Sequence, residues 1–160
     1  MMLAQTPQDS FKLMLITVAG QAFAAAGYEL GDHPPQHAAG LFRFSKAFED
    51  GLTGCIEFQL LAYQNTEWRS GMPSRFRVML TRTDQPHPAL RSQHPRFAQR
   101  DLSVLVVKDF NVAILAGAPH WWPFENTDSL GKALAEAGHL AIGFGMPWLD
   151  GSLVPSEFPK

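Results

Sequence analysis

Six histidines and a single cysteine are the side chains in this sequence best suited to metal binding or nucleophilic chemistry, and their spacing favours neither. His33 and His37 are four apart, but Pro34 and Pro35 stand between them and oppose the helix that would bring both imidazoles to one side. His87 and His94 are seven apart in a second proline-rich stretch. A metal site needs three or four ligands converging at about 2.0–2.2 Å, and these spacings do not supply them, so the histidines read as exposed loop residues and no metal is expected. Cys55 follows Gly54 in a strand-like segment, without the adjacent histidine or helix N-terminus that would lower its pKa, and reads as a small buried thiol. One cysteine also excludes an intramolecular disulfide and a zinc site of the usual thiolate kind.

Phosphate-loop and hydrolase chemistry are equally unsupported. Gly143-Phe144-Gly145 follows a predicted helix, the wrong polarity for holding phosphate at a helix N-terminus. No nucleophile elbow of the Gly-x-Ser-x-Gly type is present, and Glu49-Asp50 reads as a turn. No catalytic residue and no cofactor is therefore assigned.

Charge is the unusual feature. The chain of 160 residues has a net charge of −2, yet residues 69–100 hold seven arginines against Asp84 alone. Guanidinium forks match carboxylate and phosphate geometry, so a basic island in an acidic protein points to an acidic partner. The other reading is a solvated sheet face with cross-strand Arg–Glu pairs. The overall acidity and the lack of a basic helix or an aromatic RNA-binding signature disfavour nucleic acid. Trp121-Trp122-Pro123-Phe124 concentrates aromatic area before the last helix, as a core anchor or as a partner-binding hot spot.

The elements that must position these residues follow from periodicity. Thr6-Pro7-Gln8-Asp9 is a helix start, with a capping hydroxyl, a proline where the missing N–H costs nothing, and an acid at the positive end of the dipole. Phe11, Leu15, Val18, Ala22 and Ala26, with Met14, give one apolar face, and Gly27 ends a helix over 7–26. Residues 31–40 read as a loop across Pro34-Pro35.

A β-meander over 41–82 follows. Phe42 and Phe44, then Ile56, Phe58 and Leu60, then Phe76, Val78 and Leu80 alternate with polar neighbours, which predicts a buried face and a largely wet one. On the wet face fall Arg43, Glu57, Gln59, Arg75 and Arg77, with Arg69, Arg82, Arg91, Arg96 and Arg100 in or near adjoining loops. Residues 83–99 form a long excursion with room for a short helix at 88–99. Residues 102–107 and 111–116 read as a β-hairpin. Asn126-Thr127-Asp128 caps a helix over 127–142, stopped by Gly143, Gly145 and Pro147, and 151–160 is a tail.

Composition supports one domain: 46% hydrophobic and 18% charged residues suit a packed core, and no repeat or linker interrupts the chain. The first residues lack the basic start of a signal peptide, and the longest apolar runs fall far short of the roughly 20 residues that span a bilayer. A cytoplasmic α+β domain is expected, with an antiparallel sheet of about four to five strands and the N- and C-terminal helices on one face.

The order of motifs has a counterpart. Gly27-Tyr28, Leu41-Phe42-Arg43-Phe44, Ile56-Glu57-Phe58-Gln59, Arg75-Phe76-Arg77-Val78-Met79-Leu80, Trp121-Trp122 and Met146-Pro147-Trp148-Leu149-Asp150 together resemble the small bacterial proteins grouped as domain of unknown function 4304. The likeness spans nearly the whole chain and implies helices on an antiparallel sheet, without established chemistry. The neutral stretch GDHPPQHAAG stands where that family is basic. The functional expectation is a non-enzymatic protein-binding module, immunity-like or accessory, acting through Arg43, Glu57, Gln59, Arg75, Arg77, Trp121 and Trp122. The alternative is a small-molecule site or enzyme built from Arg, Glu and His on the same face.

Overall fold

The computed structural model describes residues 6–62 and 74–155. Six antiparallel strands form the sheet: β1 (Glu29–Leu30), β2 (Leu41–Ala47), β3 (Thr53–Leu61), β4 (Ser74–Thr83), β5 (Ala98–Asp101) and β6 (Trp122–Phe124). The order across it is β1-β2-β3-β4-β5, with β6 also on β4. Because β3 pairs with β4 along Arg75–Thr83, both β5 and β6 lie on its other edge. There β6 takes Ser74–Phe76 and β5 takes Met79–Arg82. This is the expected α+β architecture.

Helices cover one face. The first, α1, has three consecutive stretches: Pro7–Leu15, a π-type turn Ile16–Gly20, and Gln21–Ala25. Its start is a reciprocal cap, Asp9 N–H to Thr6 Oγ1 at 3.1 Å and Thr6 N–H to Asp9 Oδ2 at 3.3 Å. The buried stripe is Phe11, Leu15, Ala19 and Phe23, not the expected Val18 and Ala22, which are exposed. A four-residue spacing drifts by about 40° per step on an ideal α-helix. The wider π-type turn takes up part of that drift and moves the buried positions one residue along.

Residues 31–40 are not all loop. Helix α2 (Pro34–Ala38) starts on the two prolines, whose missing N–H groups fall in the first turn where no acceptor is needed. The prolines break a helix only when it must run through them. Gly40 (φ +87°) then turns the chain into β2, and its carbonyl accepts Leu60 N–H at 2.7 Å. A Cβ there would stand 2.6 Å from the Leu60 carbonyl oxygen, so this turn requires glycine.

The expected hairpin over 102–116 is helical at its start. Helix α3 comprises Leu102–Val104 and a π-type turn Leu105–Asp109. Asp101 Oδ1 accepts from Ser103 N–H at 2.9 Å and Val104 N–H at 3.3 Å, an N-cap that outweighs the β-propensity of the valines. Leu102, Leu105 and Val106 enter the core at helical spacing, and 111–121 continues in turns and bends. Residues 84–97 carry turns and no helix, ending in β5.

The last helix, α4, runs through Thr127–Leu140, a π-type turn Ala141–Gly145, and Met146–Asp150. Gly143, Gly145 and Pro147 do not stop it. Gly145 instead lets the helix approach the sheet, since a Cβ there would lie 3.2 Å from Leu80 Cδ2. Gly151, at φ +84°, provides the left-handed stop.

One core joins Phe11, Leu15 and Phe23 of α1 to Phe42, Phe44, Phe58 and Phe76 of the sheet and to Leu134 and Leu149 of α4. Phe23 meets Phe44 edge-on at 4.8 Å, and Phe76 stacks on Trp122 at 5.5 Å. Among the described residues no helix is long and apolar enough to cross a membrane.

Candidate functional site

The face away from the helices carries alternate residues of β2, β3 and β4 in register. Arg43 stands opposite Glu57 and Glu57 opposite Met79; Gln59 stands opposite Arg77; Leu61 stands opposite Arg75, which faces Pro123 on β6. The sheet thus brings Arg43, Glu57, Gln59, Arg75 and Arg77 to one surface, but it does not leave them alike.

At the Arg43 end the face is roofed, which corrects the expectation of a wet surface. Arg43 Nε donates to Glu57 Oε2 at 3.2 Å, and the two side chains are only 10% and 9% exposed. Over them lies the 84–97 segment, where Arg43 Nη2 stands 3.1 Å from His87 Nε2. Ala89 N–H is aimed at the other imidazole nitrogen, Nδ1, at 3.1 Å. A neutral imidazole has one acceptor nitrogen, so these two donors compete for it. Pro88 is buried beside this contact, and Gln99 Nε2 donates to the buried Thr81 Oγ1 at 3.1 Å. Cys55 lies in the neighbouring row between Ser45 and Thr81, and burial pushes its thiol up to about 11. It is a thiol at neutral pH, not a nucleophilic thiolate.

At the other end the cations lack a counter-charge among the described residues. Arg77 Nε donates to Gln59 Oε1 at 2.7 Å, while its guanidinium carbon lies 5.1 Å from the Trp121 ring. The Arg75 guanidinium carbon lies 4.9 Å from the same ring, and Arg75 Nε is buried without an acceptor among the described residues. Among the described residues no carboxylate pairs with either arginine. Leu61, 37% exposed, and the exposed Pro123 flank Arg75 on its two sides. The tryptophan pair divides between the two faces. Trp122 is buried and donates from Nε1 to Glu136 Oε1 at 2.8 Å, whereas the half-buried Trp121 carries the arginines.

The rest of the arginine island is mostly structural. Arg82 donates to the carbonyls of Arg96, Trp148 and Leu149 and so anchors the end of α4 to the sheet. Arg96 pairs with Asp50, and Arg100 grips Asp109 through two bonds of 2.8 Å. Arg91 is exposed in the 84–97 segment, and Arg69 lies outside the described residues.

The histidines do not gather. His37 is buried, stacked on Phe42 at 5.0 Å, and its pKa is lowered by that burial and by Lys12; His94 Nδ1 accepts Arg96 N–H at 3.0 Å. Among the described residues no three His, Cys, Asp or Glu side chains converge as metal ligands. Ser103, Asp101 and His120 are neighbours but not a triad. The Ser103 hydroxyl donates to Asp101, and it is the His120 backbone N–H, not its ring, that reaches Ser103 Oγ at 2.8 Å. A groove of about 570 Å³ lies elsewhere, between α1 and β1, lined by Ile16, Ala24 and Leu30 with Lys12 and Asp32.

Two features of the site escape sequence reading. His87 is distant in sequence from Arg43, and no periodicity predicts their contact. Trp121 and Trp122 are adjacent, and only the strand that begins at Trp122 sends their rings to opposite faces. Comparison with protein-family models, with curated proteins and with solved structures finds no match.

Proposed function

We propose that this protein is a non-enzymatic binding module, immunity-like or accessory in role and cytoplasmic, that docks an acidic protein partner on the Arg75–Arg77–Trp121 corner. The observation that carries this reading is the pair of guanidiniums on one indole with no carboxylate against them among the described residues. Both cations lie at one indole without a counter-charge among the described residues, so an incoming carboxylate supplies the opposite charge that the fold does not. Arginine and tryptophan are also the side chains that most often dominate binding surfaces. The kinship with the domain of unknown function 4304 proteins belongs to the same proposal and rests on the order of the motifs.

The alternative, a site of Arg, Glu and His, has a basis in Arg43, Glu57 and His87. Their bonds, however, go to each other beneath the 84–97 segment. A strap that closes a face is the simpler reading of that cluster.

The test uses the immobilised protein and its Arg75→Glu/Arg77→Glu variant to capture partners from the native cell, with Arg91→Glu, at an exposed position in the 84–97 segment, as a charge-reversal control. A partner kept by the parent and the control, lost by the double variant, and bound directly when purified supports the reading. A set of partners unchanged by the double variant overturns it.

A further inference from the structure

We infer that the group received at this corner is the terminal carboxylate of a partner chain, with the last, apolar side chain of that partner set against Leu61 or Pro123. The inference rests on the acidic-partner reading above and narrows it. Four facts of geometry carry it.

The first is that the polar atoms left over at the corner are donors. Gln59 gives its oxygen to Arg77 Nε, which leaves its amide NH₂ as a donor. Arg75 Nε is a buried donor without an acceptor among the described residues, and the guanidinium ends are donors by nature. Among the side chains described at the corner, a ligand therefore meets donors and is best served by accepting hydrogen bonds.

Second, both guanidinium carbons lie at one indole, at 4.9 and 5.1 Å, and a guanidinium edge is the donor pair that a planar carboxylate matches with two parallel bonds.

Third, the charge is small. Arg43, the other arginine of this face, is already neutralised by Glu57. Two cations suit one carboxylate better than the run of phosphates along a nucleic acid, which needs a longer basic track.

Fourth, the flanks are apolar. Leu61, Arg75 and Pro123 form one cross-strand row, so the cation lies between two hydrophobic neighbours. An acidic side chain within a longer segment brings polar backbone on both sides of its carboxylate. A chain end brings one carboxylate and one side chain next to it, which fits a cation with an apolar wall.

The experiment uses the full chain and four probes: the peptide Gly-Ser-Gly-Ser-Leu with a free carboxylate, the same peptide amidated, an amidated peptide with two internal glutamates, and inorganic phosphate. Binding is read by NMR from the Trp121 indole N–H, assigned with Trp121→Phe, and from the Nε–H signals of Arg75 and Arg77. The expected result is saturable shifts with the free-acid peptide and affinity at least about tenfold lower for its amide, a difference of about 1.4 kcal/mol. Arg75→Gln and Arg77→Gln each weaken the free-acid response, and an unchanged amide spectrum shows that both variants are folded.

Equal responses to acid and amide overturn the carboxylate. A response to the internal glutamates that exceeds the free acid overturns the chain end while leaving the acidic-partner reading intact. Phosphate that outcompetes both peptides replaces the proposal with an oxyanion site. Silence at Trp121, Arg75 and Arg77 with every probe removes both readings.

Discussion

The two ends of one sheet face hold the same residue type under opposite conditions. Arg43 faces a carboxylate across the strand pair, is nine-tenths buried and lies under the 84–97 segment. Arg75 and Arg77, on β4, have an indole and an amide for company and no carboxylate among the described residues. The lesson is that an arginine count is not a binding surface. What separates structure from candidate function is whether the fold has already supplied the counter-charge.

The comparison breaks most visibly at Glu57. Glu57→Gln leaves Arg43 buried without its partner, and a loss of about 3 kcal/mol in denaturant unfolding is expected, because the desolvated charge remains. Replacing both, Arg43→Met with Glu57→Leu, should restore most of that stability; if it does not, the pair contributes more than the desolvation it offsets. His87→Ala comes next. It removes one contact of the strap and should cost about 1 kcal/mol, with faster amide exchange across 84–97. Unchanged exchange would mean that Pro88 and Gln99 hold the roof alone.

Arg75→Gln and Arg77→Gln should change stability by less than about 1 kcal/mol, since a cation–π contact at a half-open site is worth about that much. A loss as large as that of Glu57→Gln would erase the contrast between the two ends.

The smallest effect is a pH dependence. The Cys55 thiol is raised in the fold, from 9.0 to about 11, by burial. The unfolded chain therefore loses its proton first, so this contribution is intact below about pH 9 and is lost progressively as pH rises from 9 towards 11. Cys55→Ala should flatten that alkaline limb in urea titrations at successive pH values.

Much of the fold was legible because its signals are local. The Thr6 cap, the alternation through Phe42–Phe44, Ile56–Leu60 and Phe76–Leu80, and the Asn126 cap each act over a few residues and each formed. The failures came where two local signals competed. At Leu102–Val106 the branched side chains suggested a strand, but Asp101 capped a helix. At Pro34-Pro35 a breaker became a starter, and within α1 the π-type turn shifted the buried positions by one residue. Of the candidate site, alternation placed Arg43, Glu57, Gln59, Arg75 and Arg77 on one face, while the register that sets Arg43 opposite Glu57 and Gln59 opposite Arg77 comes from the structure. The roof over the first pair and the indole beside the second depend on segments 44 residues apart or more in sequence, and no periodic pattern carries that information.

The divided edge of β4 has a consequence for timing. β6 covers Ser74–Phe76 and β5 covers Met79–Arg82, which leaves Arg77 and Val78 as a seam where neither strand pairs. The chain departs after β5, builds α3, and returns at Trp121 and β6 to complete the same edge. During synthesis the arginines of the corner therefore emerge long before their indole. A nascent chain has the cations without the platform, and the site comes into being only when the later half arrives. The proposed docking at this corner would thus be a property of the finished molecule, and binding there would report that the two ends of the edge have met.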